Sequence, residues 1–165
     1  MKSIALTKGY HALVDDDDFD KVNQFKWSAY EDPKGDGTLY NVYARRNIKP
    51  EHGNRTKQFL HRFILGVVDP TVKVDHTDRD GLNCGKENLR IATVSQNQGN
   101  RIKSVGTSSQ YKGVSWVGHI HKWRARIKVN NTLIHLGCSN SEIKCALMYD
   151  EAAVKHFGEF ALCNF

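Results

Sequence analysis

The chain has 165 residues, of which 39% are hydrophobic, and its formal net charge is +6. This length fits one ordinary domain or two small ones, and no apolar run approaches the roughly 20 residues that a membrane-spanning helix requires. The four cysteines are scattered and include no C-x-x-C pair, which argues against a zinc ribbon and against a disulfide framework. The composition therefore disfavours membrane proteins and small disulfide-rich proteins, and it predicts free thiols in a reducing cytoplasm.

Positive charge is concentrated in the C-terminal part of the chain. Residues 1–100 hold 15 Lys/Arg and 14 Asp/Glu, whereas residues 101–165 hold 9 and 4. No acidic residue occurs from Asn88 to Ser141. Such a stretch is typical of a phosphate-binding surface, although basic faces are also common in proteins without such a partner.

The first 45 residues are predicted to form two β-hairpins. Short apolar runs flank Lys8-Gly9-Tyr10, and two alternating runs, residues 27–30 and 40–44, flank a turn-rich insert at residues 33–37. The acidic run at residues 15–18 is interpreted as a solvated turn or a helix start rather than a metal site, because negative charge is favourable at a helix N-terminus.

The next part of the chain is predicted to contain a strand, a loop, a strand and a helix in that order. An apolar run at residues 58–65 is expected to be a strand or a short helix packed behind these elements. The first strand ends at Asp75-His76, the second covers residues 88–93, and the helix begins at Val94. This is the order of a ββα unit.

The C-terminal part is predicted to contain three strands and one helix after a flexible linker at residues 101–110. Residues 122–129 alternate, so basic side chains occupy one face of the middle strand and apolar side chains the other. The helix begins near Ser139 and ends at Gly158. Its predicted apolar stripe is Ile143, Ala146, Leu147, Ala153, Val154 and Phe157.

Polar residues between positions 75 and 97 match the requirements of phosphodiester hydrolysis, which needs a proton acceptor and a metal that neutralises developing charge. His76 is the predicted general base because its unperturbed pKa lies near 6.5. Asp75 and Asn97 offer oxygen ligands, which suit Mg²⁺ or Mn²⁺ rather than zinc. Asn88 is expected to hydrogen-bond across the loop to His76; the alternative is a turn-capping Asn.

Five short motifs carry a family resemblance: His61-Arg62, Val74-Asp75-His76, Asp80-Gly81-Leu82-Asn83, Glu87-Asn88-Leu89-Arg90 and Gln96-Asn97. They resemble the HNH homing-endonuclease family, of the type found in phage genomes. The resemblance implies a ββα-metal nuclease unit, with His76, Asn88 and His61 in catalysis and Asp75 and Asn97 as metal ligands. Many relatives carry His where Asn97 stands. The alternative for His61 is a packed, hydrogen-bonded histidine.

A second set of motifs covers residues 111–165. It comprises Tyr111-Lys112-Gly113-Val114, Lys122-Trp123-Arg124-Ala125-Arg126-Ile127, His135-Leu136-Gly137, Tyr149-Asp150-Glu151-Ala152-Ala153, Phe157-Gly158 and Leu162-Cys163-Asn164-Phe165. These residues resemble the plant Apetala-two, or ethylene-response-factor, DNA-binding domain. The resemblance implies a three-stranded antiparallel sheet that lies in the major groove with one helix behind it.

Residues predicted to contact DNA lie in the linker and on the basic face of this sheet. They are Arg101, Lys103, Lys112, Ser115, Trp116, Arg124, Arg126, Lys128 and His135. Plant members often carry Arg and Trp where Ser115 and His135 stand, so the plant target sequence is not carried over. The alternative for the basic face is a solvated sheet face.

The sequence thus predicts an α+β, two-domain, site-specific DNA endonuclease that cleaves one or both strands. Residues 1–100 form the nuclease domain with its core at about 58–100, residues 101–110 the linker, and residues 111–165 the DNA-binding domain. The expected cofactor is Mg²⁺ or Mn²⁺ without zinc, and the expected partner is double-stranded DNA without a membrane. We expect a monomer or homodimer in the cytoplasm of a bacterial host cell, encoded by the bacterium or by a phage. Two alternatives stay open: a DNA-binding regulator with an inactive nuclease unit, and an RNA-binding or RNA-cleaving protein.

Overall fold

The structure is a computed structural model that describes residues 1–34, 37–49, 54–103 and 106–165. It divides into two compact units, Met1–Ile91 and Ala92–Phe165, and each is described by itself. Within the described ranges the chain forms a mixed α/β structure of several small sheets and four α-helices. None of the helices in these ranges has both the length and the apolar character needed to cross a bilayer.

The first unit begins with a hairpin and a helix. Strands β1 (Lys2–Ala5) and β2 (His11–Val14) pair antiparallel, as the flanking apolar runs predicted. Helix α1 (Asp16–Asn23) follows at once, and three of the acidic residues lie in its first turn. The interpretation of the acidic run as a helix start is confirmed, since carboxylates there face the positive end of the helix dipole.

A three-stranded antiparallel sheet follows, in the order β3 (Ser28–Pro33), β4 (Leu39–Ile48) and β5 (Thr56–Phe59). The β3–β4 pair is the predicted second hairpin, and residues 35–36 of its turn lie outside the described residues. The chain passes from β5 directly into the short helix α2 (Leu60–Ile64), so the apolar run contains both a strand end and a helix.

The core of the first unit joins its sheets to its helices. Its buried members are Ile4, Ala12, Val14, Val22, Trp27, Ala44, Leu60, Ile64, Cys84 and Leu89. Burial of such side chains is the main stabilising contribution to a small fold. Cys84 belongs to this core, and burial raises the pKa of its thiol to about 12, so it is a packing residue that stays protonated.

Strand β6 (Lys73–His76) and strand β7 (Leu89–Ala92) form a two-stranded sheet, and helix α3 (Val94–Gly99) comes next. The predicted order of strand, loop, strand and helix is therefore confirmed. Thr93 and Gln96 form a capping box that starts α3.

Helix α3 belongs to the second unit. Ala92 belongs to the same core cluster as Phe157, and a Cβ on Gly99 would lie 2.7 Å from the Phe157 ring. The two compact units therefore divide before α3, whereas the sequence predicted a linker at residues 101–110, of which residues 104–105 lie outside the described residues. The assignment of residues 92–100 to the nuclease domain stays a prediction.

The second unit contains a three-stranded antiparallel sheet and one long helix. The sheet consists of β8 (Val114–Val117), β9 (Lys122–Val129) and β10 (Thr132–Ser139), with β9 in the centre. Helix α4 (Glu142–Phe157) contributes Ala146, Tyr149, Ala153 and Phe157 to the cores that include the apolar face of β9.

The predicted apolar stripe of α4 is wrong at three positions. Ile143, Leu147 and Val154 are about half exposed, whereas Cys145, Tyr149 and three alanines are buried. The helix presents small residues to the sheet, which lets its backbone approach closely, and the larger aliphatic side chains lie to one side of that stripe.

Gly113 is predicted to be essential for the packing of α4 on the sheet. Its φ is +76°, and an added Cβ would lie 2.0 Å from the Tyr149 ring. Gly113→Ala should destabilise the protein by about 2–5 kcal/mol, because left-handed strain and overpacking add together. Gly106→Ala is the matched control, since Gly106 has φ of +74° and nothing within 4 Å, so only about 1–2 kcal/mol of strain is expected. Urea unfolding followed by tryptophan fluorescence measures both; equal losses would contradict the packing role.

Candidate active site

Strand β6 delivers the two central side chains of the candidate site, Asp75 and His76, and both are buried. Neighbouring strand residues point to opposite sides, so the two side chains reach different surroundings. Asp75 meets Arg90 of the paired strand β7: Nε and Nη2 of Arg90 lie 3.0 and 2.9 Å from Oδ2 of Asp75. In the sequence, Arg90 belongs to a family motif and to the basic stretch predicted to bind phosphate. Only the pairing of β6 with β7 reveals its partner.

His76 lies in a cluster of rings contributed by three separate elements. Its ring centroid is 5.0 Å from that of His61 on α2 and 5.9 Å from that of Tyr43 on β4. Phe59 stacks on the far side of His61 at 5.5 Å. The structure therefore brings the predicted residues His61 and His76 together. It adds Tyr43, which no local sequence signal connects to them.

Burial keeps both imidazoles neutral at physiological pH. Desolvation lowers the pKa of His76, while the nearby carboxylates of Asp78, Asp75 and Asp80 oppose that shift. Desolvation, together with repulsion from charged His76 and Arg62, lowers the pKa of His61 to about 3. A neutral imidazole has a lone pair that can accept a proton, so His76 can act as a base without first losing one.

The loop after His76 is held by a hydrogen-bond network centred on Asp78. Asn88 Nδ2 donates to Asp78 Oδ1 at 2.9 Å and to the Asn83 carbonyl at 2.8 Å, while its Oδ1 accepts from the Asp78 amide at 3.0 Å. Asn83 Nδ2 donates to Asp78 Oδ2 at 2.6 Å. The expected bond from Asn88 to the His76 ring is not formed, because these partners occupy the amide. Asn88 instead fixes the loop on which His76 ends.

The same loop is packed tightly against strand β4. Asn41 Oδ1 accepts from the Gly81 amide at 3.2 Å, and Asn41 Nδ2 donates to the Arg79 carbonyl at 2.9 Å. A Cβ on Gly81 would lie 2.4 Å from the Val42 carbonyl oxygen, so only glycine permits this approach. Asn41 was missed by the sequence analysis, since it lies about forty residues from the motif it supports.

The oxygen donors at the end of β6 suit a divalent metal that takes few ligands from the protein. Across the described residues no three His, Cys, Asp or Glu side chains gather as a metal cage. Mg²⁺ is commonly bound by one or two carboxylates together with water and substrate phosphates, so it does not require such a cage. The Asp75 carboxylate is a hard oxygen donor beside His76 and therefore fits this ion. Asn97, the second predicted ligand, lies half-buried on α3 in the second unit.

Two predicted positions have structural contacts of their own. Arg62 donates from its guanidinium to the carbonyls of Val72 and Asp69, at 2.7 and 2.5 Å, and so ties α2 to the loop that precedes β6. Lys112 Nζ donates to the Gly99 carbonyl at 2.5 Å. Arg101 is exposed, and Lys103 is hydrogen-bonded to Thr107.

The other predicted DNA-contacting residues lie on the sheet of the second unit. Cross-strand pairing sets Ser115 opposite Arg124, and Arg126 opposite His135, on one face. The Oγ of Ser115 and the Nε of Arg124 are buried and have no hydrogen-bond partner among the described residues. Lys128 and His135 are exposed.

Trp116 differs from these residues in its placement. It pairs with Trp123, and the two ring centroids are 5.1 Å apart, so Trp116 lies on the face of Trp123 rather than that of Arg124. Its side chain is 42% exposed at the sheet edge. Its predicted contact with DNA stays a prediction, but it would have to come from the edge of the sheet.

Comparisons with known proteins identify two relatives. An uncharacterized HNH endonuclease of Acanthamoeba polyphaga mimivirus is 30% identical over 162 residues, which cover 95% of this chain and 76% of the relative. The H-N-H endonuclease F-TflI of Escherichia phage T5 is 36% identical over 64 residues, which cover 34% of this chain and 33% of that protein. No protein-family model matches the chain.

The burial of His61 predicts a specific loss of stability in acid. Unfolded His61 binds a proton below pH 6.5, whereas folded His61 does so only near pH 3, so protonation favours unfolding across this window. The free energy of unfolding should fall by up to about 1.4 kcal/mol per pH unit from this residue alone. His61→Gln removes this dependence, and His11→Gln, on an exposed strand position, should leave it intact. Urea unfolding between pH 4 and 7 gives the three slopes; a His61→Gln slope equal to that of the wild type would contradict the assignment.

Proposed function

We propose that this chain, which belongs to the HNH endonuclease family, hydrolyses phosphodiester bonds of double-stranded DNA at specific sites with His76 as its general base. The observation that carries the proposal is the buried, neutral His76 next to the Arg90-anchored carboxylate of Asp75. Hydrolysis needs a base and an anionic oxygen ligand, and adjacent positions at the end of β6 supply both. The Asp75 carboxylate acts on His76 through its charge, which raises the pKa of the ring.

The surroundings of His76 suit a base that gains and then releases a proton. Burial favours the neutral ring before reaction, and the carboxylates of Asp75, Asp78 and Asp80 favour the imidazolium once the proton has moved from the attacking water. The two effects oppose each other, and burial is the larger, so the pKa of His76 is lowered. His61 remains neutral and packs edge-on against His76, which limits the orientations of the catalytic ring.

Asp75 is proposed to hold Mg²⁺ or Mn²⁺, and the role of Asn97 as a second ligand stays a prediction. When bound, such an ion neutralises charge on the phosphate and the leaving oxygen. Asn88 is proposed to position His76, because its hydrogen bonds to Asp78 and Asn83 hold the loop that follows His76.

The second unit is proposed to bind DNA in the manner of the Apetala-two type. A three-stranded antiparallel sheet backed by α4 supports that resemblance. Ser115 Oγ and Arg124 Nε, buried and without hydrogen-bond partners in the described part of the chain, are suited to a polar ligand such as a base edge or phosphate. Basic residues and the lack of acidic ones across residues 88–141 favour the same partner. A monomer would nick one strand; cleavage of both needs a homodimer or sequential nicks.

Cleavage by the wild-type protein is expected to depend on His76. Supercoiled plasmid should relax with Mg²⁺ or Mn²⁺ but not with EDTA, and His76→Ala should lower the rate by about 10²- to 10⁴-fold. His11→Ala is the control, because His11 is an exposed histidine of β2. Tight DNA binding without cleavage of plasmid or genomic fragments would favour a DNA-binding regulator with an inactive nuclease unit. Cleavage of RNA but not of DNA would favour an RNA-cleaving protein.

DNA affinity should depend on the basic face of β9. Arg126→Ala is expected to reduce the slope of log affinity against log salt by about 1 if it contacts a phosphate, or to relax discrimination by about 1–3 kcal/mol if it contacts a base. Lys155→Ala removes an equal charge from the exposed side of α4 and serves as the control. Fluorescence anisotropy at several salt concentrations measures both variants; equal effects would contradict a specific role for the sheet.

A further inference from the structure

The contact between Arg90 and Asp75 differs from the other ion pairs in the described ranges. Its side chains are 16% and 7% exposed, whereas each of the others includes at least one side chain that is more than one-third exposed. Removing two charges from water is expensive, and buried ion pairs frequently add little to stability compared with apolar residues. Stability alone therefore gives a weak reason for this pair.

The geometry of the pair restricts one carboxylate oxygen. Nε and Nη2 of Arg90 both approach Oδ2 of Asp75, at 3.0 and 2.9 Å. Two donors of a rigid guanidinium that converge on one oxygen restrain both the position and the rotation of the carboxylate. The pair therefore fixes how the Asp75 carboxylate is presented at the end of β6.

We propose that Arg90 is a positioning residue that orients the Asp75 carboxylate toward the divalent cation and thereby sets the affinity of the site for metal. The inference rests on the proposed function, in which Asp75 is a metal ligand. Groups that hydrogen-bond to a metal ligand commonly affect metal affinity by 10- to 100-fold. Arg90 also carries a positive charge that repels the cation, so the two effects predict opposite results when Arg90 is replaced.

The test measures metal binding separately from cleavage. Binding of Mn²⁺ alone is followed by the electron paramagnetic resonance signal of the free ion, and nicking is measured over a range of Mn²⁺ concentrations. Arg90→Gln should weaken Mn²⁺ binding by about 10- to 100-fold and raise the concentration for half-maximal nicking equally. The rate at saturating Mn²⁺ should change by less than about threefold, because Arg90 acts through affinity. The Mn²⁺ affinity of Arg90→Lys should lie between those of Arg90→Gln and the wild type, because one ammonium group cannot reproduce the two donors of the planar guanidinium.

Two controls separate this role from others. Arg79→Gln removes the same charge from an exposed side chain of the neighbouring loop and should leave Mn²⁺ binding unchanged. His76→Ala should abolish nicking but retain Mn²⁺ binding. Circular dichroism in EDTA reports folding, and if Arg90→Gln is unfolded the folded Arg90→Lys variant carries the test.

Each outcome has a defined meaning. Tighter Mn²⁺ binding by Arg90→Gln would show that charge repulsion dominates and would overturn the inference, as would unchanged binding in both variants. If the wild type nicks DNA and both Arg90 variants bind Mn²⁺ as tightly as the wild type, only the proposed role of Arg90 is contradicted. If the wild type neither binds Mn²⁺ nor nicks DNA, the proposed function itself fails, and the inference fails with it.

Discussion

The hydrogen bonds between Asp78 and Asn88 constrain the loop on which the candidate active site depends. They close the loop between β6 and β7, so that the strand carrying Asp75 and His76 and the strand carrying Arg90 stay in register. A site that acts on a phosphodiester must hold its groups to within a fraction of an ångström. Without these hydrogen bonds, the loop that follows His76 would no longer be held to Asn88.

The second constraint is the close approach of this loop to strand β4. Gly81 touches the backbone of Val42, and Asn41 hydrogen-bonds to the Gly81 amide and the Arg79 carbonyl of the loop. The approach also brings the Tyr43 ring beside His76. Tight packing therefore both rigidifies the loop and excludes water from the imidazole, which is the cause of its lowered pKa.

Several features of the site were predictable because they are local in the sequence. Alternation identified β9, the turn-rich segments identified the hairpins, and the Asp-His motif identified the end of β6. The residues that contact these groups could not be predicted from the sequence. Arg90, Asn41 and Tyr43 come near Asp75 or its loop only through strand pairing and packing, and nothing in their immediate neighbours marks them.

Features that the sequence left open or misplaced have the same origin. Alternation places Trp116 on a given face of the sheet only when its register with Trp123 is known. The helical periodicity of α4 is compatible with more than one apolar stripe, and the small residues that face the sheet decide which of them is buried. Asn88 was correctly connected to the loop, but its amide bonds to Asp78 rather than to the ring. Competition among hydrogen-bond partners is decided by distance in three dimensions.

The sequence by itself determined the elements, their order, the basic character of the second half and the residue types available for hydrolysis, because these depend on periodicity, turn chemistry and charge. Only the tertiary structure decided which strands pair, which histidine is buried against His76, which residue restrains Asp75 and to which unit α3 belongs. These outcomes depend on contacts between residues far apart in the chain, and burial, pKa and ion pairing arise from those contacts rather than from neighbours in sequence.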